Sequence, residues 1–375
     1  MLRLMLGLAG EIDLIAVERA IAEFRTARPV LIEDGAEAAL AVSIEGLGPD
    51  LCAALDPIAG GRARLVLPAA RLRRMGLDRA QPGALALPVL DAGRIEALAL
   101  KADGRIDAPV CGPASVDADA LELARLALML PATLVIPVPR GIVLDPAILR
   151  VAGAAVRGYR QAQVQHLAIV GRAPVPLEGA PGTEFVVFRG GEGLRDQVAI
   201  LVGRPDLSQP VAVRLHSACL TGDLFGSHKC DCGDQLRRTV RWMAENGGGV
   251  LLYLDQEGRG NGIANKIRAY KLQARGYDTY EADEALGFDL DGRRFDFAVE
   301  MLRQLGVRRV RVLTNNPEKA DALRRAGLDV VSEQRIAGRA TPENVRYLAA
   351  KRDRAGHIIG LEASAARAPG QAGQD

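Results

Sequence analysis

The chain has 375 residues, which is long for one domain and indicates two. Hydrophobic residues make up 49% and charged residues 25%, a composition that supports a sizeable core and excludes wholesale disorder. The net charge of +2 gives no basis for bulk electrostatic binding to nucleic acid or membranes, and five cysteines exclude a disulfide framework.

The N-terminal segment lacks the features of a targeting signal. MLRLMLGLAGEIDLIAVERA has a short apolar run followed by Glu11 and Asp13, whereas a signal peptide needs a longer apolar core and a small-residue cleavage site. The longest uncharged apolar stretch, residues 126–139, is broken by prolines and too short to span a bilayer. We therefore expect a cytoplasmic protein without nucleic-acid or membrane partners.

The first half alternates helical and strand patterns. Apolar residues recur at helical spacing from Leu14 to Phe24, and Pro29 ends that helix. The other elements predicted in this half are strands at 30–32, 63–67 and 133–138 and helices at 68–75 and 117–130. The mixture predicts an α/β or α+β fold with mixed sheets flanked by helices.

Two stretches of this half, AIAEFRTARPVLIEDGAEAALAVSIEGL and GGRARLVLPAARLRRMGL, are similar to dihydroxybutanone-phosphate synthase, a riboflavin enzyme. That family uses an acidic cluster to hold magnesium, and a catalytic histidine. Here Glu33, Asp34 and Glu37 stand among alanines, and no histidine precedes His166. Because magnesium needs several oxygen ligands and proton transfer near neutral pH favours histidine, we interpret this half as catalytically inactive. It would serve as a scaffold or dimerisation domain with the three acids in a solvated loop, and we expect a homodimer.

A domain boundary is expected at RAPVPLEGAPGT, residues 172–183, which holds three prolines and two glycines. The predicted organisation is a degenerate synthase-like domain at 1–171, a linker at 172–182, a catalytic domain at 183–361 and a disordered tail at 362–375. In the catalytic domain, apolar patterns predict strands at 185–188, 198–202, 211–215, 250–254 and 307–313 and a helix at 234–246.

Three cysteines, Cys219, Cys230 and Cys232, follow a predicted strand with the spacing C-x10-C-x-C. Zinc takes thiolates in a tetrahedral array, and three protein ligands leave one position for a catalytic water. The acidic residues and glycines around them argue against three cysteines buried as small hydrophobes. His216 or His228 could supply a fourth ligand, so the spacing alone leaves catalytic and structural zinc open.

Downstream, the strand at 250–254 opens into the glycine-rich turn DQEGRGNG, residues 255–262. Such a turn between a strand and a helix exposes backbone N–H groups that suit phosphate, and Arg259 adds a planar fork of donors. A second anion site is predicted at Thr314 and Lys319, because Asn-Pro between them starts a helix with its positive end towards them.

The segments RLHSACLTGDLFGSHKCDCGDQL, LLYLDQEGRGNGIANKIRAYKLQ, LGFDLDGRRF and LTNNPEK resemble, in order and spacing, the motifs of GTP cyclohydrolase II, the first enzyme of riboflavin synthesis. The resemblance covers residues 183–335. It implies that the three cysteines hold one catalytic zinc ion per chain with water as the fourth ligand. Magnesium would accompany the triphosphate of the GTP substrate.

The resemblance also assigns roles to single residues. Asp291 corresponds to the proposed general base, Arg293 to the proposed nucleophile at the α-phosphorus, and Tyr270 to a tyrosine that assists near the zinc. Because a guanidinium has a pKa above about 12, charge stabilisation by Arg293 in the transition state is the alternative. The implied substrate-binding residues are Arg214, Leu215, His216, Ser217, Gln235, Glu257, Gly258, Arg259, Thr279, Thr314 and Lys319.

Three positions depart from the family pattern. Ala218 stands where the family often has Glu, Asp255 where it often has Arg, and Asp283 where it often has Asn. Asp255 replaces a positive charge with a negative one, which should weaken attraction of a triphosphate unless Lys266 or Arg268 compensates.

The cysteine motif and the family resemblance together predict a zinc-dependent GTP cyclohydrolase II. Such an enzyme opens the guanine imidazole ring by attack at C8. Formate and pyrophosphate would be released, leaving a diaminopyrimidinone ribosylamine phosphate. One alternative is a related purine-nucleotide cyclohydrolase with a different product. Another is a nucleotide-binding regulator without turnover, in which an open zinc site would have no use.

Overall fold

The computed structural model describes residues 12–191, 195–289 and 292–336. The chain divides into two compact units, of which the first comprises the described parts of 1–167, 190–195 and 258–293. The second comprises those of 168–189, 196–257 and 294–375. The predicted tail at 362–375 lies outside the described residues. Within these ranges, no helix has both the length and the apolar composition needed to cross a membrane.

The helices of the described residues are, in chain order, α1 (Ile12–Arg25), α2 (Pro49–Ala59), α3 (Ala69–Arg74), α4 (Ala92–Leu100), α5 (Ser115–Leu126), α6 (Gly153–Gln165), α7 (Leu220–Asp223), α8 (Cys232–Glu245), α9 (Ile263–Gln273), α10 (Thr279–Ala285), α11 (Asp296–Gln304) and α12 (Pro317–Arg325). The strands are β1 (Val30–Asp34), β2 (Glu37–Ser43), β3 (Ala63–Leu67), β4 (Gly83–Leu87), β5 (Val110–Cys111), β6 (Thr133–Pro137), β7 (Leu149–Ala152), β8 (Ala168–Pro174), β9 (Thr183–Arg189), β10 (Gln197–Val202), β11 (Val211–Ser217), β12 (Gly249–Leu254), β13 (Arg309–Leu313) and β14 (Asp329–Gln334).

The first unit is built on a seven-stranded sheet with the order β5-β4-β3-β6-β2-β1-β7. Its strands pair antiparallel except for β1 and β7, which are parallel. Successive side chains of a strand point to opposite faces, and both faces are apolar here. Leu31 belongs to one buried cluster, whereas its neighbours Val30 and Ile32 belong to another. The sheet therefore has a core on each face, covered by helices.

The second unit contains a second seven-stranded sheet, with the order β14-β13-β11-β12-β10-β9-β8. The first four of these strands are parallel, and the last three pairings are antiparallel. Because β11, β12 and β13 run parallel, their carboxyl ends meet at one edge of the sheet, where α/β proteins commonly bind ligands. The cysteine loop follows β11, Glu257 lies just after β12, and Thr314 follows β13.

Two-domain architecture with mixed sheets and flanking helices is confirmed. The predicted strand at 63–67 coincides with β3, and each strand predicted in the second half is present within a few residues. The helix predicted at 117–130 is shorter, since α5 ends at Leu126 and Leu128 adopts a left-handed conformation with φ of 57°. The stretch 172–182, expected as a linker, holds the end of β8 and the turn that joins it to β9.

Candidate functional site

The three predicted zinc ligands lie together in the second unit. The sulfur atoms of Cys219, Cys230 and Cys232 are all within 4.8 Å of one another, and those of Cys219 and Cys230 are 3.5 Å apart. Zinc–sulfur bonds of about 2.3 Å in a tetrahedral array place sulfurs about 3.8 Å apart. The spacing of this thiol group therefore suits three ligands of one zinc ion.

Local backbone structure explains how three sulfurs can lie so close. Cys219 follows β11 and precedes the single-turn helix α7, while Cys232 begins α8. Gly222 of α7 packs against the sulfurs, and a Cβ at this position would lie 2.5 Å from the Cys230 sulfur and 3.0 Å from that of Cys219. Only glycine leaves room for the thiol group at that point.

Ionisation of these thiols would be favoured by a bound cation. The hydrogen bond with Cys219 and burial raise the pKa of the Cys230 thiol to about 11, with an opposing contribution from Cys232. Three sulfurs at this separation resist ionising together, because like charges in a partly buried site repel. A divalent cation removes that penalty, and thiolate is the form that binds metal.

Neither histidine of the cysteine loop belongs to the thiol group as the described residues present it. His216 is 4% exposed, and burial lowers its pKa, which favours the neutral imidazole. Its Nε2 lies 3.1 Å from both carboxylate oxygens of Asp223, so the neutral ring carries its proton on Nε2 and donates it there. His228 is exposed. The group therefore presents three protein ligands, the number typical of catalytic zinc.

Asp223, which the sequence analysis missed, joins several parts of this loop. Besides His216, its carboxylate accepts hydrogen bonds from the Cys219 backbone N–H at 2.9 Å and from the Tyr253 hydroxyl at 3.1 Å. The rings of His216 and Tyr253 stack with centroids 5.5 Å apart. This network holds the first cysteine in place from the side of the sheet. The sequence signal that could have identified Asp223 is an acidic residue four positions after Cys219.

A second polar network links β11 to α8. Arg214 is 7% exposed and donates to the Leu313 carbonyl at 3.0 Å and to Gln235 Oε1 at 2.5 Å. The Gln235 amide in turn donates to Asp231, between two cysteines of the loop, at 2.5 Å. Arg214 Nε and Asp231 Oδ1 are buried without a hydrogen-bond partner among the described residues. Buried polar atoms of this kind point to an additional ligand or water.

The remaining substrate-binding candidates of the second unit lie at the same edge of its sheet. Glu257 accepts a hydrogen bond from the Leu220 N–H at 2.5 Å, next to Cys219. The Lys319 ammonium group donates to the Leu215 carbonyl at 2.7 Å, and the Ser217 hydroxyl contacts Gln256 at 3.3 Å. Thr314 accepts from the Asn316 N–H at 3.0 Å, and Asn316 caps α12 as predicted.

The other candidates lie in the first unit. Gly258 and Arg259 both adopt left-handed backbone, with φ of 62° and 63°. The Arg259 guanidinium is 2.6 Å from an Asp283 carboxylate oxygen and lies 4.2 Å from the centre of the Tyr280 ring. Asp283, one of the departures from the family pattern, thus forms an ion pair with the predicted phosphate ligand.

Further residues of this set are placed as follows. The Lys266 ammonium lies 5.7 Å from the centre of the Tyr270 ring, on α9. Thr279 is the first residue of α10, whose cap is Asp278. Arg293 is partly buried, and Asp291 lies outside the described residues.

The acidic positions of the first half are paired rather than merely solvated. Asp34 and the fully buried Asp119 both contact the Arg157 guanidinium, at 3.0 and 2.7 Å. Glu33 pairs with Arg150 at 3.3 Å, whereas the exposed Glu37 accepts a hydrogen bond from the Ser115 hydroxyl at 2.9 Å. The arginines already supply the positive charge that carboxylates would otherwise draw from a metal.

Comparison with known proteins gives a consistent result. A family model described as GTP cyclohydrolase II matches residues 168–335. The GTP cyclohydrolase-2 of Xylella fastidiosa is 45% identical over 364 residues, covering 94% of this chain and 90% of that protein. That of Azospirillum brasilense is 41% identical over 362 residues, covering 92% and 94%.

Two other similarities cover the chain differently. The riboflavin biosynthesis protein RibBA of Bacillus subtilis is 49% identical over 166 residues, which cover 44% of this chain and 42% of that protein. A crystal structure of RibBX, a two-domain 3,4-dihydroxy-2-butanone 4-phosphate synthase from A. baumannii, is 18% identical and covers 86% of this chain and 99% of that one. Its TM-score of 0.31 is too low to support a conclusion about the fold.

Proposed function

Because the chain belongs to the GTP cyclohydrolase II family, an enzyme family of riboflavin biosynthesis, we propose that it hydrolyses GTP with one zinc ion per chain. The reaction opens the imidazole ring of guanine and releases formate and pyrophosphate. Its product is the diaminopyrimidinone ribosylamine phosphate that feeds riboflavin synthesis. The observation that supports this most is the thiol group, whose three sulfurs lie within 4.8 Å of one another.

Cys219, Cys230 and Cys232 are the proposed zinc ligands. A bound zinc ion would supply Lewis-acid activation of water near neutral pH, which ring opening at C8 requires. Three ligands from the chain leave a position for that water. The Asp223 carboxylate accepts a hydrogen bond from the Cys219 backbone N–H and so keeps this cysteine oriented. Hydrogen-bond partners of metal ligands commonly have this role.

Residues around the thiol group are proposed to bind the nucleotide. Arg214 and Gln235 form a connected pair of donors and acceptors that suits the polar edge of a purine base. The other members of this set are Leu215, His216, Ser217, Glu257, Thr314 and Lys319. Tyr270 is proposed, from the family resemblance, to assist the ring-opening chemistry.

The triphosphate is assigned to a separate set of residues. Arg259 presents a planar guanidinium beside left-handed Gly258, and Thr279 is included from the family resemblance. Magnesium is expected on the phosphate oxygens, which are hard ligands. Asp291 and Arg293 are proposed to act in the loss of pyrophosphate, with Arg293 either as nucleophile or as a stabiliser of charge.

The direct test is incubation of purified, zinc-loaded protein with GTP and magnesium, followed by assay of formate and pyrophosphate and by mass analysis of the product. We expect both to appear in equal amounts. Formate without pyrophosphate would indicate a related purine-nucleotide cyclohydrolase instead. GTP binding without either product would indicate a nucleotide-binding regulator.

A further inference from the structure

The segment 258–293 lies in the same compact unit as the first half of the chain. Helices α9 and α10 contribute to the apolar cluster on one face of the first sheet, together with strand residues such as Leu65 and Leu85. The contributing residues of this segment are Ala269, Leu272, Ala282, Ala285, Leu286 and Phe288. The segment that carries Arg259 and Thr279 is therefore packed onto the core of the first half.

Arg71, on α3 of the first half, is the most buried charged group at this contact, with 1% exposure. Its guanidinium donates to the carbonyls of Leu98 at 2.9 Å and Lys101 at 2.6 Å, at the end of α4. It also donates to the carbonyl of Ala285 at 2.8 Å, the last residue of α10. One cation thus satisfies carbonyl groups at the C-terminal ends of two helices, where positive charge is favoured.

The arginine remains charged in that position. Burial lowers the pKa of Arg71 to about 10, so the group is protonated at neutral pH. A planar guanidinium can bridge two helix ends, which a compact ammonium group does less well. Gly287, just after α10, packs beside it: a Cβ at this position would lie 2.8 Å from Pro68. The end of α10 is thereby fixed to α3 and α4.

Helix α10 in turn holds Arg259. Tyr280 and Asp283 are three residues apart, so they project from the same face of the helix. The Tyr280 ring lies under the Arg259 guanidinium at 4.2 Å, and the Asp283 carboxylate is 2.6 Å from it. A continuous series of contacts therefore runs from Arg71 through α10 to Arg259.

A second anchor holds the beginning of α9. Arg268 pairs with Glu45 of the first half and donates to the Asn265 side-chain carbonyl at 2.7 Å. The Asn265 amide donates to the Leu128 carbonyl at 3.1 Å, and Glu45 also accepts from the Leu130 N–H at 2.5 Å. Both ends of the helix pair that follows the glycine-rich turn are thus attached to the first half.

We propose that the first half works as the anchor of segment 258–293, and that Arg71 is a positioning residue for the phosphate-binding Arg259. The proposal rests on the proposed function, because it takes GTP as the ligand of Arg259. In this proposal the first half contributes to GTP hydrolysis by positioning Arg259, and it needs no catalytic activity of its own.

The test compares full-length, zinc-loaded Arg71→Met with Arg73→Met, an exposed arginine on the same helix. Losing a hydrogen-bonded charge at α10 should raise the KM for GTP about tenfold, since such bonds contribute about that factor or more. The kcat and the zinc content should change little, because the thiol group lies in the other unit. Arg73→Met should behave as wild type, and Arg71→Lys should recover part of the loss.

Hydrogen–deuterium exchange supplies a readout that does not depend on turnover. In Arg71→Met we expect faster exchange confined to the glycine-rich turn and α10, with β11 and β12 unchanged. An unchanged KM and unchanged exchange in α10 would overturn the proposal, as would equal acceleration in both units. Should Arg71→Met not fold, Glu45→Gln at the second anchor must give the same pattern at smaller size. If wild-type protein does not turn over GTP, the proposed function fails, while the exchange result still decides whether the first half anchors the segment.

Discussion

Two groups of side chains carry atoms that can bind metals, the thiol group of the second unit and the acids around Arg157 in the first, but only the thiol group brings three such ligands together in the described residues. The thiol group of the second unit brings three sulfurs within 4.8 Å of one another, and Gly222 leaves the space for them. The acids of the first unit, Asp34 and Asp119, share the Arg157 guanidinium at 3.0 and 2.7 Å. The thiol group therefore has the arrangement of a metal site, whereas the acids are bound to an arginine of the chain. Ligand type alone therefore does not identify a metal site.

The largest effect is expected from breaking the thiol group. Cys230→Ser replaces a soft thiolate by a hydroxyl that ionises far less readily, so zinc should be lost and formate release should fall to background. Elemental analysis of purified protein measures the zinc directly. Serine at Cys219 or Cys232 should act in the same way, and full zinc occupancy in all three variants would contradict the assignment.

Substitution of Arg293 should cause a smaller and more selective loss of activity, which affects pyrophosphate release but not the zinc site. Arg293→Ala should slow pyrophosphate release about a hundredfold or more, because a group that stabilises the transition state is removed. Its zinc content should stay at the wild-type level. Arg293→Lys keeps the charge without the planar guanidinium, and near-wild-type pyrophosphate release by that variant would rule out a specific guanidinium role.

The acidic cluster predicts a change of stability without loss of GTP hydrolysis. Arg157→Ala leaves the buried Asp119 carboxylate without its cation, which should lower the free energy of unfolding by about 1–3 kcal/mol at pH 7. Urea denaturation would measure this. Arg150→Ala, at an exposed pair with Glu33, is the matched control and should cost at most about 1 kcal/mol.

The pH dependence of this variant follows from the same pair. Burial raises the pKa of Asp119, although Arg157 acts to lower it. A carboxyl with a raised folded-state pKa destabilises the fold above that pKa, and the cost disappears as it becomes protonated. Without Arg157 the pKa should rise further, so the deficit of Arg157→Ala should shrink as the pH falls from 7 towards 5. A deficit that grows over this range would contradict the explanation.

No dihydroxybutanone-phosphate synthase activity is expected from the first half. The full-length protein incubated with ribulose 5-phosphate and magnesium should release no formate, because the acids are paired and no histidine precedes His166. An active dihydroxybutanone-phosphate synthase serves as the positive control. Magnesium-dependent formate release from this substrate would show that the first half is catalytic after all.

Local patterns predicted the elements that local physics determines. The apolar run of β12, the cap of α12 by Asn316 and the metal-like spacing of the cysteines each depend on a few neighbouring residues. Those features were visible in the sequence because periodicity, capping and ligand spacing are short-range signals.

Long-range contacts could not be predicted in the same way. Arg71 reaches Ala285 across 214 positions of the sequence, and nothing near Arg71 marks it as buried rather than one of three arginines on a short helix. The role of Gly222 depends on how the cysteine loop itself folds, which brings the sulfurs of Cys219 and Cys230 against the glycine although they are only three and eight positions away. Long-range contacts also place residues 258–293 in the same compact unit as the first half. A single boundary near 172–182, as expected from the sequence, assigns these residues to the second half instead.

The proposed function depends most on the assignment of the thiol group as a zinc site with three sulfur ligands and one open position. X-ray absorption at the zinc edge of the zinc-loaded protein tests it most directly, because it counts scattering atoms by type and distance. We expect three sulfurs at about 2.3 Å and one oxygen at about 2.0 Å. Fewer than three sulfurs, a fourth sulfur, or the multiple scattering of a bound imidazole in place of the oxygen would contradict it.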